Sequence, residues 1–264
     1  MNLVNEQQIE IGGVLNIIVS CIDTNIAIFK SKTPSVAIKE YKSFGRSIGS
    51  LKVERSGDTA YITEGKLPMF FGAVRYTTEI FLPETFAGNV SIKLGMGNVQ
   101  LNDSFTFDSL SILCSDGHIS VNEVTAQRIK LQTSSGKVQC GTMNGDLEIH
   151  TKDGRIFVNQ LNGNILAHAK SGKIQCTVAK PAEKIILTAG DGAITLNIPK
   201  DLYFLFSAKT SWRLKAPFRD HLSRPVTDNY TYQGMIGEEN KSRNEATDIK
   251  ITAKDYRIAV NWID

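Results

Sequence analysis

Apolar and polar residues alternate along most of this chain, in short runs separated by glycine-centred turns. Six glycines are each followed by an alternating run: Gly97 (GNVQL), Gly117 (GHISV), Gly136 (GKVQC), Gly154 (GRIFV), Gly172 (GKIQC) and Gly192 (GAITL). The intervals between them are 20, 19, 18, 18 and 20 residues. A second series lies about nine residues ahead of each: GNVSIKL from Gly88, DSLSILC from Asp108, QRIKLQT from Gln127, GDLEIHT from Gly145, GNILAHA from Gly163 and EKIILTA from Glu183. Self-similarity at a fixed period is the mark of stacked repeats. Each repeat reads as two short strands and two tight turns.

A period of two assigns an inward set. In the first strand it is Val90, Ile92 and Leu94; Leu110, Ile112 and Cys114; Ile129 and Leu131; Leu147 and Ile149; Ile165 and Ala167; Ile185 and Leu187. In the second it is Val99 and Leu101; Ile119 and Val121; Val138 and Cys140; Ile156 and Val158; Ile174 and Cys176; Ile194 and Leu196. The glycines stand where the chain turns sharply, which favours positive φ, and polar residues such as Asp116, Ser135, Asp153, Ser171 and Asp191 precede them. A meander or sandwich also has strands at this spacing. The recurrence of one residue type at one phase favours a solenoid.

The expectation is therefore an all-β chain, a single β-solenoid (β-helix-like) of roughly 19-residue coils with two strands per coil. Residues 1–87 read as a strand-rich N-terminal cap and first coils, and 88–200 as the regular coils. Residues 201–247 read as a cap and a polar loop insertion, densest in polar residues over 217–247. Residues 248–264 restore the pattern as a last coil, with Asp255–Tyr256 in place of the turn glycine. Terminal repeats depart from the consensus because they must close an apolar cross-section.

The turn-strand pattern TKDGRIFV, TSSGKVQC and AKSGKIQC, the opening VLNIIVSCIDTNIAIFKSKTPSVAIKEY and the closing IKITAKDYRIAV together resemble one family. It is the putative-adhesin domain of unknown function, the LiaG-like β-solenoid of bacterial cell-envelope operons. The resemblance spans essentially the whole chain. It implies a single-domain β-solenoid and supplies no catalytic residues. The membrane segment that many relatives carry at the N-terminus is not found in this sequence.

Composition narrows the picture modestly. With 41% hydrophobic and 22% charged residues the 264-residue chain is ordinary globular protein, and its net charge of +3 does not by itself indicate nucleic acid. No run approaches the roughly 18 apolar residues of a membrane helix, and the polar start MNLVNEQQIE does not read as a signal peptide. A cytoplasmic location is expected, with peripheral envelope association as the variant. The cysteines Cys21, Cys114, Cys140 and Cys176 have no metal-binding spacing, and the repeat register makes three of them separate core residues.

Candidate chemistry lies in outward columns. The residues after successive turn glycines, His118, Lys137, Arg155 and Lys173, would stack at about 4.8 Å intervals into a basic stripe suited to a polyanion, with Lys152 and Lys170 nearby. A merely solvated face is the more ordinary reading, and Asp116 and Asp153 would partly neutralise it. His150 and His168 share a phase, with Glu148 two residues from the former, but spacing fixes no third metal ligand. Asn102, Asn122, Asn159 and Asn197 suggest stacked amides. Leu166 and Ile186 point outward, near Leu113 in phase, as if under a covering segment from the 202–214 region. Asp116, Asp153 and Asp191 recur at one phase but occupy ordinary turn positions.

The resulting expectation is a non-catalytic scaffold or binding module, adhesin-like, with neither cofactor nor metal. Its partner would be an anionic polymer, an envelope component or another copy of itself, and not a specific nucleic-acid sequence. The alternatives are a carbohydrate-active β-helix enzyme, which needs carboxylates gathered in a groove, and a self-polymerising cytoskeletal-type solenoid.

Overall fold

A computed structural model describes residues 1–43, 51–64, 76–180, 183–223, 230–237 and 246–263. Among them are twenty strands and one 3₁₀ turn, Arg219–His221. The chain divides into two compact units, Met1–Gln132 and Thr133–Asp264.

The second unit shows the repeat at its most regular. Its strands are β11 (Val138–Asp153), β12 (Ile156–Asn162), β13 (Ile165–Ser171), β14 (Ile174–Lys180), β15 (Lys184–Asp191) and β16 (Ile194–Pro199), followed by β17 (Phe204–Thr210), β18 (Tyr230–Ile236), β19 (Thr247–Ala253) and β20 (Ile258–Ile263), numbered here with the strands of the first unit preceding them. Parallel pairing sets Val138 beside Ile156, Ile156 beside Ile174, Ile174 beside Ile194 and Ile194 beside Ile258. On the other strand series Leu147, Ile165, Ile185, Ile249 and Phe206 form the matching row. Every member of the inward set deduced from the alternation is buried, none more than 4% exposed. Because each side chain lies above its counterpart in the coil below, the interior is made by stacking rather than by packing one sheet on a helix.

The first unit contains β1 (Asn2–Glu10), β2 (Asn16–Asp23), β3 (Asn25–Ser31), β4 (Ser35–Lys42), β5 (Lys52–Ser56), β6 (Thr59–Thr63), β7 (Tyr76–Pro83), β8 (Asn89–Met96), β9 (Val99–Asp116) and β10 (Ile119–Ser135). Here Ile17, Val90 and Leu110 stand in one row and Val19, Ile92 and Ile112 in the next.

Three features differ from the expectation. The second corner is softened in part of the stack: β9, β10 and β11 run unbroken through it, whereas Gly163, at φ +147°, separates β12 from β13 there. Phe105, Phe107, Val124 and Met143 stay buried there, and in β11 the bend still carries Gly145 at φ +128°. The turn glycines, secondly, are required as much by stacking as by φ. Gly172 has φ +148°, but Gly192 does not lie in the left-handed region. A Cβ on Gly192 would nevertheless fall well inside 3.0 Å of the Gly172 carbonyl oxygen in the coil beneath.

Third, chain order is not stacking order at the ends. β19 lies between β15 and β17, parallel to both, so the coil that comes last in sequence is intercalated in the stack. β17 sits outside it, and β18 pairs antiparallel with β17. The first unit repeats the device: β2 lies between β6 and β8, and β3 between β7 and β9. Antiparallel strands then close that end, β5 on β6, β4 on β7 and β1 on β4. The outer strand β5, KVERS, exposes Lys52, Glu54 and Arg55, charges that discourage edge pairing with another chain. Residues 224–229 and 238–245 of the expected polar loop lie outside the described residues.

The segment expected to cover Leu166 and Ile186 does not do so. Residues 204–210 extend the sheet as β17, and Leu166 stays 41% exposed.

Candidate functional site

The glycine corner of the second unit sets the outward side chains in order. The amide of Val138 donates to the Arg155 carbonyl at 2.9 Å, that of Ile156 to Lys173 at 2.9 Å, that of Ile174 to Ala193 at 3.0 Å and that of Ile194 to Arg257 at 3.1 Å. Arg155, Lys173, Ala193 and Arg257 therefore occupy successive rungs, about 4.8 Å apart. Lys137 heads the column. It is half-buried, its Nζ 4.8 Å from the Phe157 ring centroid and 2.5 Å from Gln139 Oε1. Arg155, Lys173 and Arg257 are exposed. His118 is also exposed, but it belongs to the first unit, where its amide donates to Asn98 Oδ1 at 2.9 Å.

Arg257 joins the residues expected in the column. The segments KDGRIFV (152–158) and KDYRIAV (254–260) align residue for residue, which sets Arg257 at the phase of Arg155. Tyr256 in place of the turn glycine obscured the match. Exposed Lys152, Lys170 and Lys254 flank the column, against exposed Asp153, Asp191 and Asp255. Cations outnumber carboxylates along this corner, so its local field is positive.

The column continues beyond the last intercalated coil. Lys215 bridges Ala259 in parallel register, its amide donating to the Ile258 carbonyl at 3.0 Å and its carbonyl accepting from Val260 at 2.8 Å. Two residues back along both strands, Arg213 and Arg257 line one pocket together with Leu214, Lys215, Ala216 and Arg219. Thr210 Oγ1 holds the approach to this segment, donating to the Tyr256 carbonyl at 2.8 Å and accepting from the Trp212 amide at 3.0 Å. No periodic pattern marks this segment as a site, because Arg213 and Arg257 lie 44 residues apart in the chain.

The other candidates resolve into structural roles. His150 pairs in register with His168, their ring centroids 6.1 Å apart, and the His150 ring nitrogen lies 2.9 Å from Glu148 Oε1. The next rung on the His168 side is Thr188, and no group of three His, Cys, Asp or Glu side chains able to hold a metal occurs among the described residues. The amides do form ladders along the stack. Asn261 Nδ2 donates to Asn197 Oδ1 at 2.9 Å and Asn197 Nδ2 to Thr177 Oγ1 at 3.0 Å. Asn122 Nδ2 donates to the Asn102 carbonyl at 3.2 Å, whereas Asn159 is exposed. A further ladder, absent from the sequence reading, runs from Ser109 through Asn89 and Asn16 to Thr59.

All four cysteines are free and buried. Burial pushes the Cys21 and Cys176 thiols up to about 12 and that of Cys114 up to about 11, and raises that of Cys140 further still. None is poised as a thiolate nucleophile. The cap of the first unit buries an ion pair, Lys42 Nζ 3.4 Å from Glu40 Oε1, with Glu40 Oε2 accepting the Leu51 amide at 3.2 Å. Such a pair organises the end of a core more than it stabilises it.

Comparison with known proteins places this geometry. A family described as Toastrack DUF4097 matches residues 17–213. Three crystal structures of bacterial proteins are similar. One, described as a putative adhesin from Bacteroides fragilis, is 17% identical with a TM-score of 0.56, covering 98% of this chain and 97% of the other. Another putative adhesin, from Parabacteroides distasonis, is 11% identical with a TM-score of 0.47, covering 98% and 97%. A putative cell adhesion protein from Clostridium sporogenes is 12% identical with a TM-score of 0.30, covering 98% of each chain. The first of these supports the fold alone. No curated protein matches the chain.

Proposed function

The chain belongs to the Toastrack DUF4097 family, and we propose that within it this protein is a non-catalytic binding module that holds an anionic polymer along the glycine corner of its second unit. The observation that carries the reading is the in-register column of Arg155, Lys173 and Arg257, one cation per rung except at Ala193. A rigid β-stack fixes those charges at a constant interval without loss of backbone entropy on binding, which favours a ligand whose own charges repeat. The carboxylates of the same corner, Asp153, Asp191 and Asp255, are exposed and spread along the stack rather than gathered in a groove, which favours binding over glycoside chemistry. The description of the similar Bacteroides fragilis structure as a putative adhesin fits a module of this kind, and an anionic polymer of the bacterial envelope is the setting in which it would act.

Binding of a long-chain polyphosphate, followed across a salt series, tests the reading. The logarithm of affinity should fall linearly with that of salt concentration, and R155A/K173A should reduce the slope by about 0.7–0.9 for each lost contact. Unchanged affinity and slope in that variant would refute it.

A further inference from the structure

The pocket beyond the end of the basic column has a character of its own. It is an open depression of about 400 Å³ lined by Arg213, Leu214, Lys215, Ala216, Arg219 and Arg257. Four of these six residues are cationic. None of the four makes an ion pair or side-chain hydrogen bond with a described residue. The Nε of Arg219 is moreover buried without a hydrogen-bond partner among the described residues. That N–H is costly to leave unpaired, but it is sealed from solvent, so contact of Arg219 with a ligand falls to its terminal guanidinium nitrogens. Leu214, 1% exposed, supplies an apolar floor.

We infer that this pocket binds a phosphoryl group, with room for the moiety it is attached to. Three guanidinium groups and one ammonium favour a tetrahedral oxyanion over a carboxylate. Arginine forks offer paired N–H donors to phosphate oxygens, and three such forks exceed what the two oxygens of a carboxylate can accept. The depression is open on one side, so a group attached to the phosphate can extend from it without displacing the anion. The site lies wholly within the second unit, held by the Lys215–Ala259 bridge and the Thr210 hydrogen bonds. It deepens the polyanion reading, and rests on it only for the polymer as the source of the phosphate.

The test is a thermal-shift titration of the full chain with inorganic phosphate against sodium chloride of equal ionic strength, and then with long-chain polyphosphate. At ten times Kd, phosphate should raise Tm by about 3–6 °C. R219M removes the unpaired donor while keeping an apolar stem, so without phosphate it should melt no lower than the parent and with phosphate it should not respond. R213A/R257A alters two exposed side chains and should also lose the response. R155A/K173A should keep the phosphate response and lose only polyphosphate affinity. A parent protein no more stabilised by phosphate than by chloride, or an equal shift in R213A/R257A, overturns the pocket. A retained phosphate shift with polyphosphate affinity unaffected by R155A/K173A leaves the pocket standing and removes the corner reading alone.

Discussion

Ile156 stands between Val138 and Ile174 in a row where all three are 0% exposed. Its strand is hydrogen-bonded on both sides, so neither neighbouring coil can collapse into a space left by truncation. Ile156→Val removes one methylene and should cost about 1 kcal/mol. Ile156→Ala should fall in the upper part of the usual range for such changes, about 3–5 kcal/mol, because the cavity persists. For a chain of this length that lowers Tm by about 6–20 °C. Ile156→Asp adds an unpaired charge to the cavity and should exceed 5 kcal/mol, a large share of a total stability of about 5–15 kcal/mol. Arg155→Ala, one residue away and facing solvent, should change stability by less than about 0.5 kcal/mol. Urea unfolding followed by circular dichroism measures the series. A loss below about 1 kcal/mol for Ile156→Ala, with an unchanged m-value, would refute the stacked row.

Two further outcomes follow from the packing. Gly192→Ala should cost about 3 kcal/mol or more, since its Cβ meets the Gly172 carbonyl, whereas Gly12→Ala, with nothing within 4 Å, should be near neutral in the same urea assay; equal stabilities would contradict the close coil approach. The raised Cys176 thiol makes stability depend on alkaline pH: the unfolded thiol ionises above about 9 while the folded one holds its proton to about 12. The native state then binds the extra proton, and stability falls as pH rises through that window, by about 1.4 kcal/mol per pH unit for each such thiol. Cys176→Ala should make the decline shallower between pH 9 and 11, and an identical decline would count against the burial.

Interactions of different kinds are legible in the sequence to different degrees. Alternation alone located Val138, Ile156, Ile174 and Ile194 in the core, because period two fixes the face of a strand once its partner coils share the pattern. The same grammar could not say which coil neighbours which. DIKITAKDYRIAV pairs with EKIILTAGDGAITL and β17 takes the outer place, since any strand with this pattern fits either edge of a parallel ladder. The KDYRIAV alignment marks Arg257, whereas Arg219 carries no periodic signal, and only the fold sets it beside Arg213 and Arg257. Glu40 and Lys42 likewise fall at inward positions of a strand, where alternation predicts apolar residues, and their partners, each other, the Leu51 amide and the Tyr76 ring, are set only by the fold.

The amino-acid sequence determined which side chains face inward and where the chain turns, because both depend on local periodicity and on glycine. Tertiary structure decided the order of the coils at each end, the antiparallel strands that close them, and the convergence of Arg213, Arg219 and Arg257 on one pocket. These depend on which strand edges remain open when the chain comes back, and residues far apart in sequence meet only once those edges are filled.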